Sequence, residues 1–322
     1  MPYCAPWWLP GGHLQTIYPY FALRRAPPRL RRVRFDTPDG DFVDFDWLDG
    51  PSDVPVVVLF HGLEGGSCSH YAAALLHALA LRGWRALVPH FRGCSGEPNR
   101  LARAYHSGDA DEIDWMLRTA RGATAGPLLA VGVSLGGNAL LKWLARSGGK
   151  AGEIVRAAAA VSAPMDLMAA GKLLSRGWNT IYGLHFLRTL KHKARGKSSQ
   201  YPNLFSRERI VRARTLYAFD DAYTAPAHGF AGVEDYWTRA SSGPDLSRIT
   251  LPTLLIHARN DPFLPGRYLP DAAALPKTIE CDFPDTGGHA GFVTGRFPGS
   301  LEWLPQRLLD FFLARLAIGR VG

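Results

Sequence analysis

Two kinds of hydrophobic pattern alternate along the chain. Arg31 to Phe35 and Phe42 to Trp47 place apolar and polar residues in turn, and Pro38-Asp39-Gly40 separates them, which predicts an antiparallel hairpin. Pro55 to Phe60 is instead a continuous β-branched and apolar run, the pattern of a strand buried on both faces of a parallel sheet. A helical pattern over Tyr71 to Arg82 follows it. Further strands are predicted at Trp84 to Pro89, Pro127 to Val133, Arg156 to Ser162, Leu251 to His257 and Thr278 to Phe283. Helical spacing recurs at Asp109 to Thr119, Leu135 to Arg146 and Leu301 to Leu316. Strand and helix in alternation predict an α/β fold, a mostly parallel central sheet with helices on both faces. Met165 to Leu246 breaks the rhythm with basic, aromatic and mixed helical sequence and no strand pattern. It reads as a helical cap, approximately residues 165–246, inserted into a single domain spanning 1–322, over the carboxyl ends of the strands where open α/β sheets bind ligands.

Composition narrows the class. A chain of 322 residues that is 47% hydrophobic buries a large core, so a disordered or fibrous protein is excluded. Cys4, Cys68, Cys94 and Cys281 are scattered without a C-x-x-C pair, giving neither a disulfide framework nor a zinc pattern and fitting a reducing, cytoplasmic compartment. Met1 to Leu23 is apolar but interrupted by Pro2, Pro6, Pro10 and Pro19, without the basic start and continuous apolar run of a signal peptide. No apolar run reaches the roughly 18 residues that argue for a membrane span, so no integral membrane association is expected. The net charge of +9 is concentrated locally, at Arg188, Lys191, Lys193, Arg195 and Lys197 and at Arg207, Arg209, Arg212 and Arg214. These read as a solvated helical face; no nucleic-acid motif accompanies them, and peripheral contact with a lipid surface stays open.

The candidate chemistry centres on Gly132-Val133-Ser134-Leu135-Gly136, between a predicted strand and a predicted helix. A strand turning sharply into a helix strains the central residue, and the glycines remove side chains that would clash, so the Ser134 hydroxyl projects outward as a nucleophile. A serine needs a base held by a third group. Asp261 follows the strand Leu251 to His257, and His289, among Gly287, Gly288 and Gly291, follows the strand Thr278 to Phe283. Both therefore reach the same sheet edge as Ser134. Asp220, Asp221, Asp282 and Asp285 compete with Asp261, whose site after the strand Leu251 to His257 matches the expected topology. The loop His61-Gly62-Leu63-Glu64-Gly65-Gly66 follows the strand ending at Phe60, and the backbone amides of Leu63 and Leu135 are the expected oxyanion donors. His61 reads as a support for this loop, and Glu64 as a solvated loop charge without chemistry.

Together, His13-Leu14-Gln15-Thr16, His61 to Gly65, Phe91-Arg92-Gly93-Cys94-Ser95-Gly96, Tyr105-His106-Ser107-Gly108, Gly132 to Asn138, Asn260-Asp261-Pro262-Phe263 and Gly288-His289 resemble the YheT-like branch of the α/β-hydrolases over nearly the whole chain. The resemblance implies a carboxylesterase or acylglycerol lipase with its triad at Ser134, Asp261 and His289. Some fungal relatives in that branch also transfer medium-chain acyl groups to alcohols.

Other motifs fail. Gly196-Lys197-Ser198 lacks the upstream glycine of a phosphate loop, Gly132 to Gly137 has Ser134 where a dinucleotide fingerprint needs glycine, and His61, Cys68, His70 and Cys94 lack metal-ligand spacing. Cys94 reads as a small packing residue. The expectation is thus a serine hydrolase of short- to medium-chain acyl esters or acylglycerols, with a small-molecule substrate and neither cofactor nor metal. An acyltransferase and a non-catalytic binding protein on the same scaffold are the alternatives. A dehalogenase would need a carboxylate where Ser134 stands.

Overall fold

The computed structural model describes residues 2–318. Its strands are β1 (Arg31–Asp36), β2 (Phe42–Leu48), β3 (Val56–Phe60), β4 (Arg85–Pro89), β5 (Leu128–Val133), β6 (Ala157–Val161), β7 (Thr253–Ile256) and β8 (Ile279–Asp282). They form one eight-stranded sheet in the order β1-β2-β4-β3-β5-β6-β7-β8. β1 and β2 form the expected hairpin, β2 pairs antiparallel with β4, and every pairing from β4 to β8 is parallel.

Strand pleating divides the core. Val56, Val58 and Phe60 point into one apolar cluster with Ile113 and Trp143, while Val57 and Leu59 point into another with Leu76 and Phe312. The first is covered by α3 (Ala110–Gly122) and α4 (Leu135–Ser147), the second by α2 (His70–Leu81) and α12 (Trp303–Ile318). The predicted elements are present, with ends displaced by up to three residues, most at the carboxyl end of α3. β2 departs from its alternating pattern, because all seven residues are buried. Its polar members are neutralised rather than solvated: Asp44 pairs with Arg34 and Asp46 with Arg32, each at 2.7 Å.

Two helices escape the sequence reading. α1 (Gly12–Ala22) forms in the proline-broken start and contains Pro19. The short α5 (Ala151–Ile154) precedes β6. Between β6 and β7 the chain forms helices joined by turns, with no strand: α6 (Leu167–Leu174), α7 (Thr180–Gln200), α8 (Arg207–Arg212), α9 (Leu216–Phe219), α10 (Ala225–Ala227) and α11 (Val233–Ala240). This insertion buries its own apolar cluster around Leu187, Phe219, Tyr236 and Trp237, joined by Phe263 from beyond β7. Asn138 of α4 ties it to the sheet layer, donating to the Ser107 and Ala240 carbonyls and accepting from the Ser242 amide.

The basic face expected on this insertion is only partly solvated. Arg188 and Arg195 are exposed, but Lys197 is buried with its ammonium on the Asn99 carbonyl, and Lys193 turns inward to Glu64. The aliphatic stems of lysine make this possible, since they pack as apolar material while the head finds a partner. Gly196-Lys197-Ser198 lies inside α7, a helix and not a phosphate-binding loop. No described helix is long and apolar enough to cross a membrane.

The junction of β5 and α4 has no spare volume. A Cβ added at Gly136 would lie 2.5 Å from the Phe60 carbonyl oxygen and 2.6 Å from that of His61, both backbone atoms. Gly136→Ala is expected to lower stability by about 1–3 kcal/mol, as overpacking against rigid neighbours does; urea denaturation at neutral pH measures it, and an unchanged midpoint would contradict the close packing.

Candidate active site

β5 ends at Val133, α4 begins at Leu135, and Ser134 between them is held at φ 54° and ψ −122°. This is the positive-φ conformation that L-residues avoid. The Ser134 amide donates to the Val161 carbonyl at 2.8 Å, anchoring the turn to the neighbouring strand. The hydroxyl then faces His289, with Oγ 2.9 Å from Nε2, and His289 Nδ1 lies 2.8 Å from Asp261 Oδ2. The three residues named from chain order are brought together as one hydrogen-bonded series. With Nδ1–H donating to the carboxylate, Nε2 presents a lone pair to the serine hydroxyl.

Asp261 has no solvent exposure. Burial pushes its carboxyl up, but His289, His257 and the Phe263 amide outweigh this, and the net shift is below the usual aspartate value. The Phe263 amide donates to Oδ1 at 2.8 Å, and the Phe263 ring stacks on the imidazole of His289 at 4.0 Å between centroids. The competing carboxylates are elsewhere: Asp220 and Asp221 lie in the insertion, Asp282 pairs with Arg307, and Asp285 sits exposed near Arg259.

The His289 loop is held by residues to which sequence reasoning gave no role. The Gln15 side-chain oxygen accepts from the Gly287 amide at 2.8 Å and from Asn260 Nδ2 at 3.0 Å; Asn260 Oδ1 in turn accepts from the Gly288 amide. The Thr16 hydroxyl accepts from the His289 amide at 2.8 Å, and the Ser162 hydroxyl accepts from the Ala290 amide. So α1 clamps the loop that carries the histidine. The only signal for this was the presence of His13-Leu14-Gln15-Thr16 among the shared motifs, because the partners lie more than 240 residues away in sequence.

Leu63 and Leu135 both border the cavity at Ser134. The Leu63 loop is fixed from several sides. His61 Nδ1 donates to the Gly62 carbonyl at 2.7 Å and its Nε2 accepts from the Phe91 amide; burial pushes this histidine down to about 3, so it stays neutral. The Gly62 amide donates to the Tyr71 hydroxyl and the Glu64 amide to the Tyr105 hydroxyl. Glu64 is not the solvated charge expected: its side chain is 8% exposed and accepts from Tyr105 at 2.7 Å and Lys193 at 2.8 Å. A positive φ of 56° turns it inward, beneath the insertion. Cys94 lies beside this pair, its thiol pushed by burial up to about 12, which suits a packing residue.

Among the described residues, His106, Asp109 and His228 bring potential metal-ligand atoms within 4.8 Å. Arg103 already donates to both Asp109 oxygens, and His106 Nδ1 accepts from the Gly108 amide, which leaves the proton on the nitrogen nearer Asp109. The set is better suited to a neutral structural contact than to a cation.

Two cavities adjoin at Ser134. One of about 150 Å³ runs under the insertion among Leu167, Leu174, Leu190, Leu216, Phe219 and Trp237. The other, about 630 Å³, is bordered by Ser134, His289, α1 and the start of α7. The arrangement brings a serine hydroxyl, an imidazole, a buried carboxylate and an apolar chamber to one point.

The profile described as alpha/beta hydrolase fold matches residues 55–295. YheT of Escherichia coli, whose name gives it provisionally as an esterase, is 40% identical over 94% of this chain and 91% of its own length. The human protein named Phospholipase ABHD3 is 25% identical, with 97% of this chain and 78% of its own covered. Among solved structures, Est1E of Butyrivibrio proteoclasticus with ferulic acid bound has a TM-score of 0.55 at 16% identity, covering 88% of this chain and 99% of its own, a likeness of fold.

Two outcomes follow from the site's buried polar groups. Gln15→Ala leaves the Gly287 amide and the Asn260 side chain without their acceptor, and is expected to cost about 2–3 kcal/mol of stability by urea denaturation. Asp220, in the wall of the smaller cavity, is held protonated by burial up to about 6 despite accepting from Thr224 and Trp237. A carboxyl whose folded value is raised contributes stability at low pH that is lost as pH climbs from about 4 through 6. Asp220→Asn should flatten this dependence by about 2 kcal/mol between about pH 4 and pH 7.5, read from denaturation free energies at those two pH values.

Proposed function

The chain belongs to the alpha/beta hydrolase family, in its YheT-like branch, and from that premise we propose that it cleaves carboxylic esters through an acyl-enzyme on Ser134. The observation that carries this reading is the unbroken series of hydrogen bonds from Ser134 through His289 to buried Asp261, beside an apolar cavity. His289 takes the serine proton as Oγ attacks the ester carbonyl. The amides of Leu63 and Leu135 receive the oxyanion, helped by the amino end of α4 at Ser134. Asp261 stabilises the imidazolium, which then protonates the departing alcohol. Water deprotonated by His289 attacks the acyl-serine and releases the acid. No redox or metal step enters this scheme.

The helical insertion acts as a cap on a single catalytic domain, and its apolar cavity receives the acyl chain of a short- to medium-chain ester or acylglycerol. Burial of that chain drives binding. The four cysteines are free, which supports a cytoplasmic site of action.

The experiment compares wild type and Ser134→Ala for labelling by a fluorophosphonate probe and for hydrolysis of p-nitrophenyl esters of graded acyl length. Labelling should vanish in the variant and kcat fall by at least about 10⁴-fold, with Asp261→Asn losing about 10³–10⁴-fold. Undiminished turnover by Ser134→Ala would overturn the mechanism. Product analysis with added alcohol separates hydrolysis from acyl transfer, and well-folded wild type that neither labels nor turns over would return the protein to a binding role.

A further inference from the structure

We infer that the face built by α1 and the amino half of α7 docks on an anionic lipid surface, with the larger cavity at Ser134 opening toward it. The two helices lie side by side: His13 Nδ1 is 3.1 Å from the Tyr182 hydroxyl, and the rings of Tyr20 and His185 meet edge to face. Together they border the outer part of the 630 Å³ cavity, through Ile17, Tyr20, Phe21, Ile181 and His185. Isolated exposed apolar side chains are ordinary on a protein surface. Here Ile17, Tyr20, Phe21 and Ile181 border one opening, and Leu14 on α1, Leu184 on α7 and Trp178 in the turn just before α7 extend the patch. Phe21 is 74% exposed, Trp178 78%, Leu184 58%, Ile181 55% and Leu14 51%. Apolar surface concentrated in this way marks an interaction face.

Its charge names the partner. The chain has no Asp or Glu from Met1 to Phe35 and none from Leu167 to Arg207. These two stretches, which contain α1 and α7, hold fourteen of the 37 basic residues and none of the 28 acidic ones, so the remainder of the chain is net negative. Of these fourteen, Arg31, Arg32 and Arg34 lie on β1 and pair with Asp49, Asp46 and Asp44, and Lys193 and Lys197 turn inward, so the cations left for this face are those without an acidic partner. Arg24, Arg25, Arg29, Arg176, Arg188 and Arg195 are exposed, and none makes an ion pair among the described residues. Arg24 stacks over the Tyr20 ring at 5.2 Å, at the edge of the cavity.

Exposed aromatic and aliphatic groups on the same two stretches of chain as unpaired arginines match the interface of a bilayer carrying acidic headgroups, where apolar side chains enter the acyl boundary and cations meet phosphate. A nucleic acid would leave Trp178, Ile181 and Leu184 without partners. A second copy joined across a two-fold axis would set one cationic face against another. The inferred docking is peripheral, made by side chains of this face; no described helix is long and apolar enough to cross a membrane. Coupled to the esterase reading, it lets a poorly soluble ester pass from the lipid into the cavity; the docking itself does not depend on that reading.

The test is co-sedimentation of the full chain with vesicles of phosphatidylcholine alone or mixed with phosphatidylglycerol. Wild type should bind the mixed vesicles, release them as salt is raised, and bind the neutral ones weakly. Trp178→Glu/Leu184→Glu should lower the partition coefficient at least about tenfold, with circular dichroism melting and turnover of a soluble p-nitrophenyl ester unchanged. Ser134→Ala should partition as wild type does, so failure of the esterase reading leaves this result intact. Equal binding to both vesicle types, no binding to either, or an unaltered double variant would overturn the inference. So would a dimer, seen by sedimentation velocity, that the same double variant dissociates.

Discussion

Ser134 occupies a backbone conformation that the surrounding close packing enforces, and most of the structure can be understood as the means of enforcing it. Its φ of 54° is stable only because β5 cannot continue and α4 cannot start elsewhere. Gly132 and Gly136 let the strand and the helix approach until their backbones touch; an added Cβ at Gly132 would sit 2.5 Å from the Gly136 carbonyl oxygen. Side chains at either position would open the turn and lower the serine. β5 is also a central strand, paired on both edges with β3 and β6, so neither neighbour can yield to relieve the strain. The loop after β3 is then adjacent by topology, which brings Leu63 to the same point without further instruction from the sequence.

The carboxylate and the imidazole arrive by a different route. Asp261 and His289 extend from β7 and β8, on the far side of β6, and their loops must be bent back toward Ser134. Positive φ at Ala290, together with the contacts of Gln15, Thr16, Asn260 and Ser162, holds that bend. α1 fits closely into the gap: a Cβ on Gly12 would lie 1.9 Å from the Asn260 carbonyl oxygen, and one on Gly291 2.0 Å from that of Gln15. The beginning of the chain thus completes a site whose chemistry comes from its middle and end.

This division explains what was legible in the sequence. The strands and helices of the sheet layer, and the placement of Ser134, Asp261 and His289 at strand ends, follow from local pattern and chain order, because period and turn chemistry act over a few residues. Gln15 and Thr16 act across most of the chain's length, and nothing in their immediate neighbours announces an acceptor for a distant amide. α1 itself was hidden because four prolines weaken a helical pattern that tertiary packing restores. Glu64 misled for the same reason: a charged residue in a glycine-rich loop is usually solvated, and only the arrival of Lys193 from α7 and of Tyr105 makes its burial tolerable.

The Glu64–Lys193 pair also limits how the insertion can behave. Glu64 directly follows Leu63, so the loop proposed to receive the oxyanion is joined through one peptide unit to an ion pair held by α7. Lys193 is 35% exposed, whereas Glu64 is nearly enclosed. Displacing α7 would therefore strip a buried carboxylate of its cation, and an unpaired buried charge is among the costlier defects a protein can carry. Tyr105 would remain as a donor, but a neutral hydroxyl does not replace an ammonium. Small adjustments of the insertion that preserve this contact are favoured over its wholesale lifting, and the exposed arginines on the opposite side of α7 are free to meet another surface while Lys193 stays in place. Inward and outward cations of one helix thus serve separate purposes: one set closes the insertion on the sheet layer, and the other leaves the outer face positively charged.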